Sequence, residues 1–351
     1  MTNFQTSQHP MKTIDIDGRS GRSTIYVGAR LDDLPAALPP DRTVIVTDPV
    51  VRQALGDRFP SFPVVEIGTG EAAKTLDTLA TVYRRFIGLG LGRDSFVLAI
   101  GGGVVCDLAG FAAATYLRGV RFGFAPTTLL AQVDASVGGK NGVNIDGYKN
   151  MVGLFAQPEA VWCDPTVLAS LPPREIGCGM AEIIKHGAIA DLKLIERLES
   201  RREAALALDP GVMADLVERS VRIKAAVVAR DERESGERRQ LNFGHTFGHA
   251  VEKVTGAPHG EAVARGMALA ARLSCELGTL PEADAGRLID LIASYGLPTG
   301  IDGAPEALID ALAKDKKRAG DRVHFVLLES LGRAVVQPIP LAVLEKEFHR
   351  L

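Results

Sequence analysis

The sequence predicts an α/β protein in which a parallel β-sheet flanked by helices is followed by a mainly helical region. In the first half, short β-branched runs alternate with segments of helical period, which is typical of a parallel sheet covered by helices. The pattern changes after about Leu171, where Pro172-Pro173 interrupts the chain and nearly all of residues 174–295 follows the helical period. We therefore expect two domains, comprising residues 1–171 and 172–351.

The individual elements follow from the same patterns. We expect strands at 43–47, 63–67 and 96–100, and helices at 72–89 and 104–117. Turns at 208–211, 235–236 and 256–258 divide the helical region. The run 323–338 departs from the helical period, because two apolar β-branched segments flank Leu331-Gly332 as in a β-hairpin, and a last helix is expected from Leu341.

Composition excludes several classes of function. The chain has 351 residues, of which 46% are hydrophobic and 24% charged, and this is enough for more than one buried core. The net charge of −3 leaves no basic excess for a nucleic-acid partner. The four cysteines lie far apart without a C-x-x-C pair, which favours reduced thiols. We see no secretory signal and no apolar run of the ~18 residues that span a membrane, so we expect a soluble, cytoplasmic protein.

The decapeptide LNFGHTFGHA places two histidines where they can share a ligand. His245 and His249 are four residues apart, so on a helix they lie on one face. His259 follows a predicted turn and can supply a third imidazole from the next helix, while Glu182 is the only acid in the segment GMAEIIKH. Two histidines and one carboxylate with a vacant position are typical of a catalytic zinc site. Paired helical histidines also occur as hydrogen-bonded core residues, and the residues alone leave both interpretations open.

A glycine-rich turn is expected where the strand at 96–100 runs into Gly101-Gly102-Gly103 and then a helix. Glycines at such a turn let a phosphate approach the backbone amides, and the helix N-terminus adds partial positive charge. The next glycine is Gly110, so the spacing is not G-x-G-x-x-G, and a tight turn that needs backbone freedom is the alternative. Asp48 ends the strand TVIVT and can either hold a ribose hydroxyl or cap a helix.

Cations in glycine-rich loops indicate a pocket for a small ligand with several negative charges. Lys140 ends the run VGGK and Lys149 lies in the run GYKN, in a chain without net positive charge. The further candidates are Arg118, Arg121, Lys185, Lys224, Arg238, Lys316 and Lys317. For any single cation the alternative is a solvated surface residue, and the charged run 230–239, which is mixed in sign, is predicted to be a solvated loop.

Five longer segments together resemble one enzyme family. They are GGGVVCDLAGFAAATYLRGVRF, PTTLLAQVDASVGGKNGVN, GMAEIIKHG, LNFGHTFGHA and HGEAVARGM. Their order and separations are similar to those of the 3-dehydroquinate synthases, which belong to the sugar phosphate cyclases, and the resemblance extends from about Asp48 to Leu328. It implies an N-terminal Rossmann-like domain that binds NAD and a C-terminal helical domain that binds metal and substrate.

The resemblance also implies roles for individual residues. The metal ligands are Glu182, His245 and His259, and the divalent metal is zinc, with cobalt as the alternative. The NAD contacts are Asp48, Glu71, Lys74, Gly102, Gly103, Asp107, Thr127, Thr128, Lys140 and Lys149. The substrate contacts are Arg118, Asp134, Lys140, Lys149, Asn150, Lys185, Lys224, Arg238 and Lys316, with Lys317 as the alternative to the last. The catalytic residues are His249, which assists proton movement, and Lys140, Lys185, Glu234 and Asn242.

The chain departs from the family pattern at three places. Asn141 stands where a threonine is frequent, the run DGYKN stands where PLGKN is frequent, and Val50 stands where an asparagine often follows the first strand. The last departure affects the adenosine side of the implied NAD site.

The implied reaction is that of a phosphate lyase in the shikimate pathway of aromatic amino acid biosynthesis. It converts 3-deoxy-D-arabino-heptulosonate 7-phosphate to 3-dehydroquinate and phosphate. One hydroxyl is oxidised by NAD, phosphate leaves by β-elimination, the same NADH reduces the ketone again, and the opened ring closes by an aldol step, so NAD is not consumed. The implied assembly is a homodimer, with neither nucleic acid nor membrane as a partner.

Three alternatives stay open. Another sugar phosphate cyclase, such as a 2-epi-5-epi-valiolone or 2-deoxy-scyllo-inosose synthase, would act on a substrate without the carboxylate. A glycerol-dehydrogenase-like oxidoreductase would release NADH, and a binding protein without catalysis would have lost a ligand. The presence of Lys140, Asn150 and Arg238 favours the carboxylated substrate.

Overall fold

The structure is a computed structural model that describes residues 11–349, apart from 235, 302 and 317–321 and the side chains of 314–316. Ser235 of one predicted turn, the side chain of Lys316 and its alternative Lys317 lie outside the described residues. Two compact units make up the chain. The first runs to Pro172 and includes Met213–Glu232, and the second comprises Pro173–Val212 and the residues from Arg233 onward. The segment Met213–Glu232 falls within the domain expected at 172–351.

The first unit is built on a seven-stranded sheet. The strands of the unit are β1 (Lys12–Gly18), β2 (Gly21–Val27), β3 (Thr43–Thr47), β4 (Val64–Glu66), β5 (Phe96–Gly101), β6 (Arg121–Pro126), β7 (Lys140–Ile145), β8 (Tyr148–Phe155) and β9 (Ala160–Cys163). The sheet order is β1-β2-β9-β6-β5-β3-β4, and all neighbours are parallel except the hairpin β1-β2. Strands β7 and β8 form a separate antiparallel ribbon. β3 and β5 are buried along their whole length, which explains their continuous apolar sequence.

Helices connect the strands and make up most of the second unit. In chain order they are α1 (Leu34–Ala37), α2 (Pro49–Leu55), α3 (Leu76–Gly88), α4 (Gly103–Thr115), α5 (Pro173–Ala190), α6 (Leu192–Ser200), α7 (Arg202–Leu206), α8 (Pro210–Arg230), α9 (His245–Thr255), α10 (His259–Glu276), α11 (Glu282–Ser294), α12 (Pro305–Lys316) and α13 (Leu341–His349). Among the described residues, no helix is both long enough and apolar enough to cross a membrane.

The strands and helices predicted for the first half are confirmed, but the helix expected at 104–117 ends at Thr115, and the helix expected at 72–89 begins late. That helix, α3, begins at Leu76 instead of residue 72. The side-chain oxygen of Thr75 accepts a hydrogen bond from the backbone N–H of Thr78 at 3.2 Å, which caps the helix at this point. Glu71–Ala73 form a separate 3-10 turn. The hydroxyl of Thr75 therefore outweighs the apolar period that suggested an earlier start.

A buried carboxylate ties the hairpin β1-β2 to the segment that follows α8. Glu232 accepts hydrogen bonds from the backbone N–H of Arg19 at 2.8 Å and of Ser20 at 3.2 Å, from the Ser20 hydroxyl, and from Gln157 Nε2 at 3.0 Å. Although burial opposes it, these donors lower the pKa of Glu232. The prediction of a solvated loop at 230–239 is wrong for Glu232, which is only 7% exposed.

In the part that the structure describes, the second unit is mainly helical and contains one hairpin, as predicted. Its strands are β10 (Arg322–Ser330) and β11 (Arg333–Pro340). They pair antiparallel, with Val326 opposite Val336, which confirms the hairpin expected at 323–338. Helix α13 begins at Leu341, also as expected.

Three helices of the second unit approach one another at glycines. A Cβ added to Gly260 of α10 would lie 2.2 Å from the Cα of Cys178 in α5. A Cβ added to Gly266 would lie 2.0 Å from the carbonyl oxygen of Gly244, which precedes α9 and has a left-handed φ of +79°. Interiors are too closely packed to admit such atoms. Helix α10 therefore contacts its two neighbours backbone to backbone.

We predict that Gly266→Ala destabilises the protein by about 1–3 kcal/mol or more, because the added methyl group has no space beside the backbone of Gly244. The matched control is Gly286→Ala in α11, where a Cβ would meet nothing within 4 Å. That change should be neutral or stabilising by up to about 1 kcal/mol, since alanine favours a helix over glycine. Urea unfolding followed by circular dichroism measures both. Equal stabilities of the two variants would contradict the close packing.

Candidate active site

Three side chains of the second unit converge as a possible metal site. Glu182 lies in the middle of α5, while His245 and His259 are the first residues of α9 and α10. One ligand atom from each of the three lies within 4.8 Å of those of the other two. His245 Nε2 is 3.8 Å and His259 Nε2 is 3.6 Å from the same oxygen, Glu182 Oε1. Both imidazoles thus present Nε2 to one carboxylate oxygen.

The Glu182 carboxylate has one satisfied and one unsatisfied oxygen. Its side chain is fully buried, and Oε2 accepts a hydrogen bond from Lys185 Nζ. Oε1 accepts none from the residues that the structure describes. A buried carboxylate oxygen without a partner is costly. A divalent cation among Oε1 and the two Nε2 atoms would remove that cost, so the residues present fit a metal ion.

Each histidine also makes a contact through Nδ1, the ring nitrogen that does not face Glu182. His245 Nδ1 lies 3.2 Å from the backbone oxygen of Phe243, and His259 Nδ1 lies 3.3 Å from Glu252 Oε2. A hydrogen bond from Nδ1–H to each oxygen leaves the lone pair on Nε2, which is the atom that faces Glu182. The outer contacts therefore favour the tautomer that a metal requires.

The charges of the cluster set its protonation states. Burial and the Lys185 ammonium hold the pKa of His245 well below its usual value. Burial acts against ionisation of Glu182, but Lys185 and the two histidines still hold the pKa of its carboxyl well below the ordinary range. Burial also opposes the charge on His259, yet Glu182 and Glu252 raise its pKa to about 9. Glu182 is thus ionised and His245 neutral at pH 7, and binding of a metal by His259 would require loss of its Nε2 proton.

The other predicted residues of the second unit lie on or near the same helices. The ring centroid of His249, which is exposed, is 5.4 Å from that of His245. Asn242 Nδ2 donates to Glu234 Oε1 at 2.5 Å, within a loop that ends in the 3-10 helix Glu237–Asn242. Arg238 is 2% exposed, so the predicted solvated loop is wrong at this residue too.

In the first unit, the predicted NAD residues gather at the carboxyl ends of the parallel strands. Asp48 follows β3, Gly102 and Gly103 follow β5, and Thr127 follows β6. From β3 the chain continues to β4 at one edge of the sheet, whereas from β5 it continues to β6 in the opposite direction. The ends of β3 and β5 therefore flank a topological switch point, where α/β proteins bind ligands. Gly102 is the N-cap residue of α4, and no side chain there accepts a hydrogen bond from the first backbone N–H groups of the helix. The N-terminal amides of α4 are therefore suited to an anionic group.

Two further observations concern the fit of a dinucleotide at this edge. Thr127 Oγ1 is buried and has no hydrogen-bond partner among the described residues. A Cβ on Gly102 would lie 3.1 Å from Thr128 Cγ2, and one on Gly101 would lie 2.5 Å from Val105 Cγ2. Internal packing alone thus requires glycine at residue 101. The unsatisfied hydroxyl of Thr127 is the stronger indication of a polar ligand.

A buried lysine links several of the predicted NAD and substrate residues. Lys74 Nζ donates to Asp107 Oδ2 and to Asn150 Oδ1, each at 2.5 Å. Burial raises the pKa of Asp107 to about 6, although Lys74 acts against this shift. Glu71 accepts a hydrogen bond at 2.7 Å from Asn144 Nδ2 of β7. The ribbon β7-β8 is thereby fastened to the turn before α3 and to α4.

The remaining candidates of the first unit divide into a pair formed by a buried lysine and a half-buried aspartate, and three exposed cations. Lys224 of α8 is buried and donates to both the backbone oxygen and Oδ1 of Asp134, each at 2.6 Å. Arg118, Lys140 and Lys149 are exposed. Arg118 has a left-handed φ of 68°, which is uncommon outside glycine.

Some contacts of the cluster have little signal in the sequence. Glu252 lies in the unremarkable run HAVEKVT, and its only clue is the spacing of seven residues from His245, which keeps both on one helix face. The carbonyl of Phe243 has no sequence signal. The glycines at 260 and 266 are visible, but their packing partners are distant in the chain.

Two family models together match most of the chain. Residues 64–178 match the 3-dehydroquinate synthase N-terminal model, and residues 179–318 match the 3-dehydroquinate synthase C-terminal model. The chain is also 47% identical over 324 residues to a 3-dehydroquinate synthase of Halorhodospira halophila, an alignment that covers 89% of this chain and 91% of that protein.

Solved structures of two related enzymes share the fold. A 2-epi-5-epi-valiolone synthase from Streptomyces hygroscopicus with NAD⁺ and Zn²⁺ bound has a TM-score of 0.84 and 29% identity, covering 99% of this chain and 98% of that one. A 2-deoxy-scyllo-inosose synthase complexed with carbaglucose-6-phosphate, NAD⁺ and Co²⁺ also has a TM-score of 0.84, at 26% identity, covering 97% and 100%. The α/β architecture with a mainly helical second part is thus the fold of the sugar phosphate cyclases.

We predict that His245→Ala and His259→Ala each reduce bound divalent metal from about one ion per chain to nearly none, because each removes one of three ligands. His324→Ala is the control, since that histidine is exposed on β10. Metal content after dialysis is measured by plasma emission spectrometry. Full retention of metal in both ligand variants would exclude this cluster as the site.

Proposed function

The chain belongs to the 3-dehydroquinate synthase family, and we propose that it converts 3-deoxy-D-arabino-heptulosonate 7-phosphate to 3-dehydroquinate and phosphate. The observation that carries the proposal is the buried, unsatisfied oxygen of Glu182 faced by two Nε2 atoms. A simple hydrogen-bonded core has no need of that arrangement, whereas a catalytic metal with an open position does.

NAD and one divalent metal, zinc or cobalt, are the proposed cofactors. The two related structures contain NAD⁺ with Zn²⁺ or Co²⁺. When bound, NAD supplies a reversible oxidation that acidifies a neighbouring C–H bond, and the metal supplies a Lewis acid that orients the adjacent hydroxyls. Glu182, His245 and His259 would hold the metal. The proposed NAD contacts are Asp48, Glu71, Lys74, Gly102, Gly103, Asp107, Thr127, Thr128, Lys140 and Lys149.

The chain's own residues would bind and orient an anionic substrate. Arg238 is almost completely buried, and we assign its guanidinium to the anionic ends of the substrate. Carboxylate and phosphate groups accept charge-assisted, bidentate hydrogen bonds from a guanidinium. The further proposed substrate contacts are Arg118, Asp134, Lys140, Lys149, Asn150, Lys185, Lys224 and Lys316.

Proton movement is assigned to the exposed imidazole beside the metal ligands. His249 lies one helical turn after His245 and is open to solvent. A histidine in that position can take a proton from a substrate hydroxyl and pass it to water. Lys140, Lys185, Glu234 and Asn242 complete the proposed catalytic set, and Asn242 and Glu234 are already hydrogen-bonded to each other.

A second candidate is the cyclisation of a phosphorylated sugar that lacks the carboxylate. The structural likeness to 2-deoxy-scyllo-inosose synthase favours it. Incubating the pure protein with the heptulosonate phosphate, and separately with a phosphorylated hexose, distinguishes the two. Release of phosphate with formation of dehydroquinate from the first substrate alone supports our proposal, and turnover of the hexose alone would refute it.

Assembly as a homodimer and a cytoplasmic location are further parts of the proposal. All four cysteines of the structure are free, and three of them are buried. This agrees with a reducing compartment. Sedimentation analysis of the purified protein tests the dimer.

We predict that NAD is required but not consumed. Protein stripped of NAD should be inactive, should recover with substoichiometric NAD, and should turn over many substrates per cofactor, because the oxidation is reversed within each cycle. Phosphate release and absorbance at the nicotinamide band are followed together. Stoichiometric accumulation of NADH would instead indicate a dehydrogenase.

We predict that Arg238→Met lowers kcat/KM more than tenfold, since a hydrogen bond to a charged group contributes about 1.5–3 kcal/mol. NAD affinity should stay nearly unchanged. Arg239→Met is the matched control on the neighbouring residue, which is less deeply buried. Circular dichroism checks that both variants are folded. Unchanged kcat/KM in folded Arg238→Met protein would remove this residue from the anion site.

A further inference from the structure

His259 lies between two carboxylates that play different parts. Its Nε2 faces Glu182 Oε1 at 3.6 Å, on the side where the ligand atoms converge. Its Nδ1 faces Glu252 Oε2 at 3.3 Å, on the opposite side of the ring. The Glu252 side chain is 18% exposed and that of His259 is 32% exposed. The ring is therefore oriented by contacts at both nitrogens, in a setting that is only partly open to water.

The two histidine ligands are supported in different ways. The outer contact of His245 is the backbone oxygen of Phe243, at 3.2 Å, which no substitution of a side chain removes. The outer contact of His259 is the Glu252 side chain, which a mutation can remove. A carboxylate that accepts from Nδ1–H fixes the tautomer and increases the basicity of Nε2 more than a neutral oxygen does. His259 is thus the ligand whose binding strength depends on one replaceable residue.

The backbone fixes Glu252 where it can reach the next helix. Glu252 lies in the last turn of α9, and its carbonyl accepts the backbone N–H of Gly256 at 2.9 Å. Gly256 has a left-handed φ of 69° and ends the helix, so that the chain turns back and begins α10 at His259. The turn between the two helices brings the Glu252 carboxylate to the outer face of the His259 ring.

We propose that Glu252 is a positioning residue of the metal site, holding His259 with Nδ1 protonated so that Nε2 binds the metal. This inference rests on the proposed function, because it takes Glu182, His245 and His259 as the metal ligands. Glu252 would not touch substrate or metal. It would act through His259, and its effect would be seen first in metal affinity.

The test is metal affinity of the metal-free protein, measured by competition with a chromogenic chelator for Zn²⁺ and Co²⁺. Glu252→Ala should weaken binding by roughly 10- to 100-fold, as is usual when a metal-bound histidine loses its carboxylate partner. Glu252→Gln keeps an acceptor oxygen for Nδ1–H but loses the charge, so its loss should be smaller. Glu261→Gln is the matched control, since that carboxylate is two residues beyond His259, is 21% exposed and pairs with Arg174. It should bind metal within about twofold of the wild type.

The outcomes separate this inference from the proposed function. A wild-type protein that binds no metal would refute the metal site itself. Tight binding by the wild type and unchanged binding by folded Glu252→Ala would overturn only the role of Glu252. Nitrogen NMR of histidine in the wild-type zinc protein, with the His259 ring assigned through the backbone signals of the same residue, covers the case in which the variants do not fold. A proton on Nδ1 supports the proposal, and a metal on Nδ1 would overturn it.

Discussion

The convergence of Glu182, His245 and His259 depends on the close approach of α10 to α5 and α9. The contact positions are adjacent to the ligands in the chain. Gly260 follows His259, Gly244 precedes His245, and Cys178, which lies against Gly260, is one helical turn before Glu182. A side chain at Gly260 or Gly244 would clash with the neighbouring helix and displace the helices that hold the ligand atoms. The glycines at these contacts are therefore as necessary to the site as the side chains that would bind the metal.

Neighbouring charges stabilise the Glu182 carboxylate in its buried position. A fully buried carboxylate such as Glu182 is stable only beside compensating charge. Lys185 satisfies one oxygen from the same helix, and His259, with its pKa raised to about 9, faces the other. With the Glu252 carboxylate on the other side of His259, two positive and two negative charges balance within this group before a metal enters. Because neither Nε2 comes within hydrogen-bond distance of Glu182 Oε1, a metal ion would supply the partner that this oxygen lacks.

Local patterns predicted most of the fold, while contacts between distant residues were beyond them. A few neighbouring residues were enough to predict the buried strands at 43–47 and 96–100 and the hairpin at 323–338. The spacing of His245 and His249 was likewise enough to place both on one helix. The start of α3 depended on one hydroxyl that competes with the helical period. The burial of Glu232 depended on donors about 210 residues away in the chain, at Arg19 and Ser20, so its charged neighbourhood suggested a solvated loop. The roles of the individual site residues remain predictions, since geometry places them but does not assign their chemistry.

The assignment of Met213–Glu232 to the first unit has a consequence for biosynthesis. Residues up to 172 leave the ribosome well before this segment does, and the forty residues between them belong to the second unit. The buried apolar face of α8 and the carboxylate that fastens the β1-β2 turn both arrive late. The first unit therefore stays incomplete during synthesis until residues 173–212 of the second unit have been translated. Folding of one finished domain after another is thus not possible for this chain.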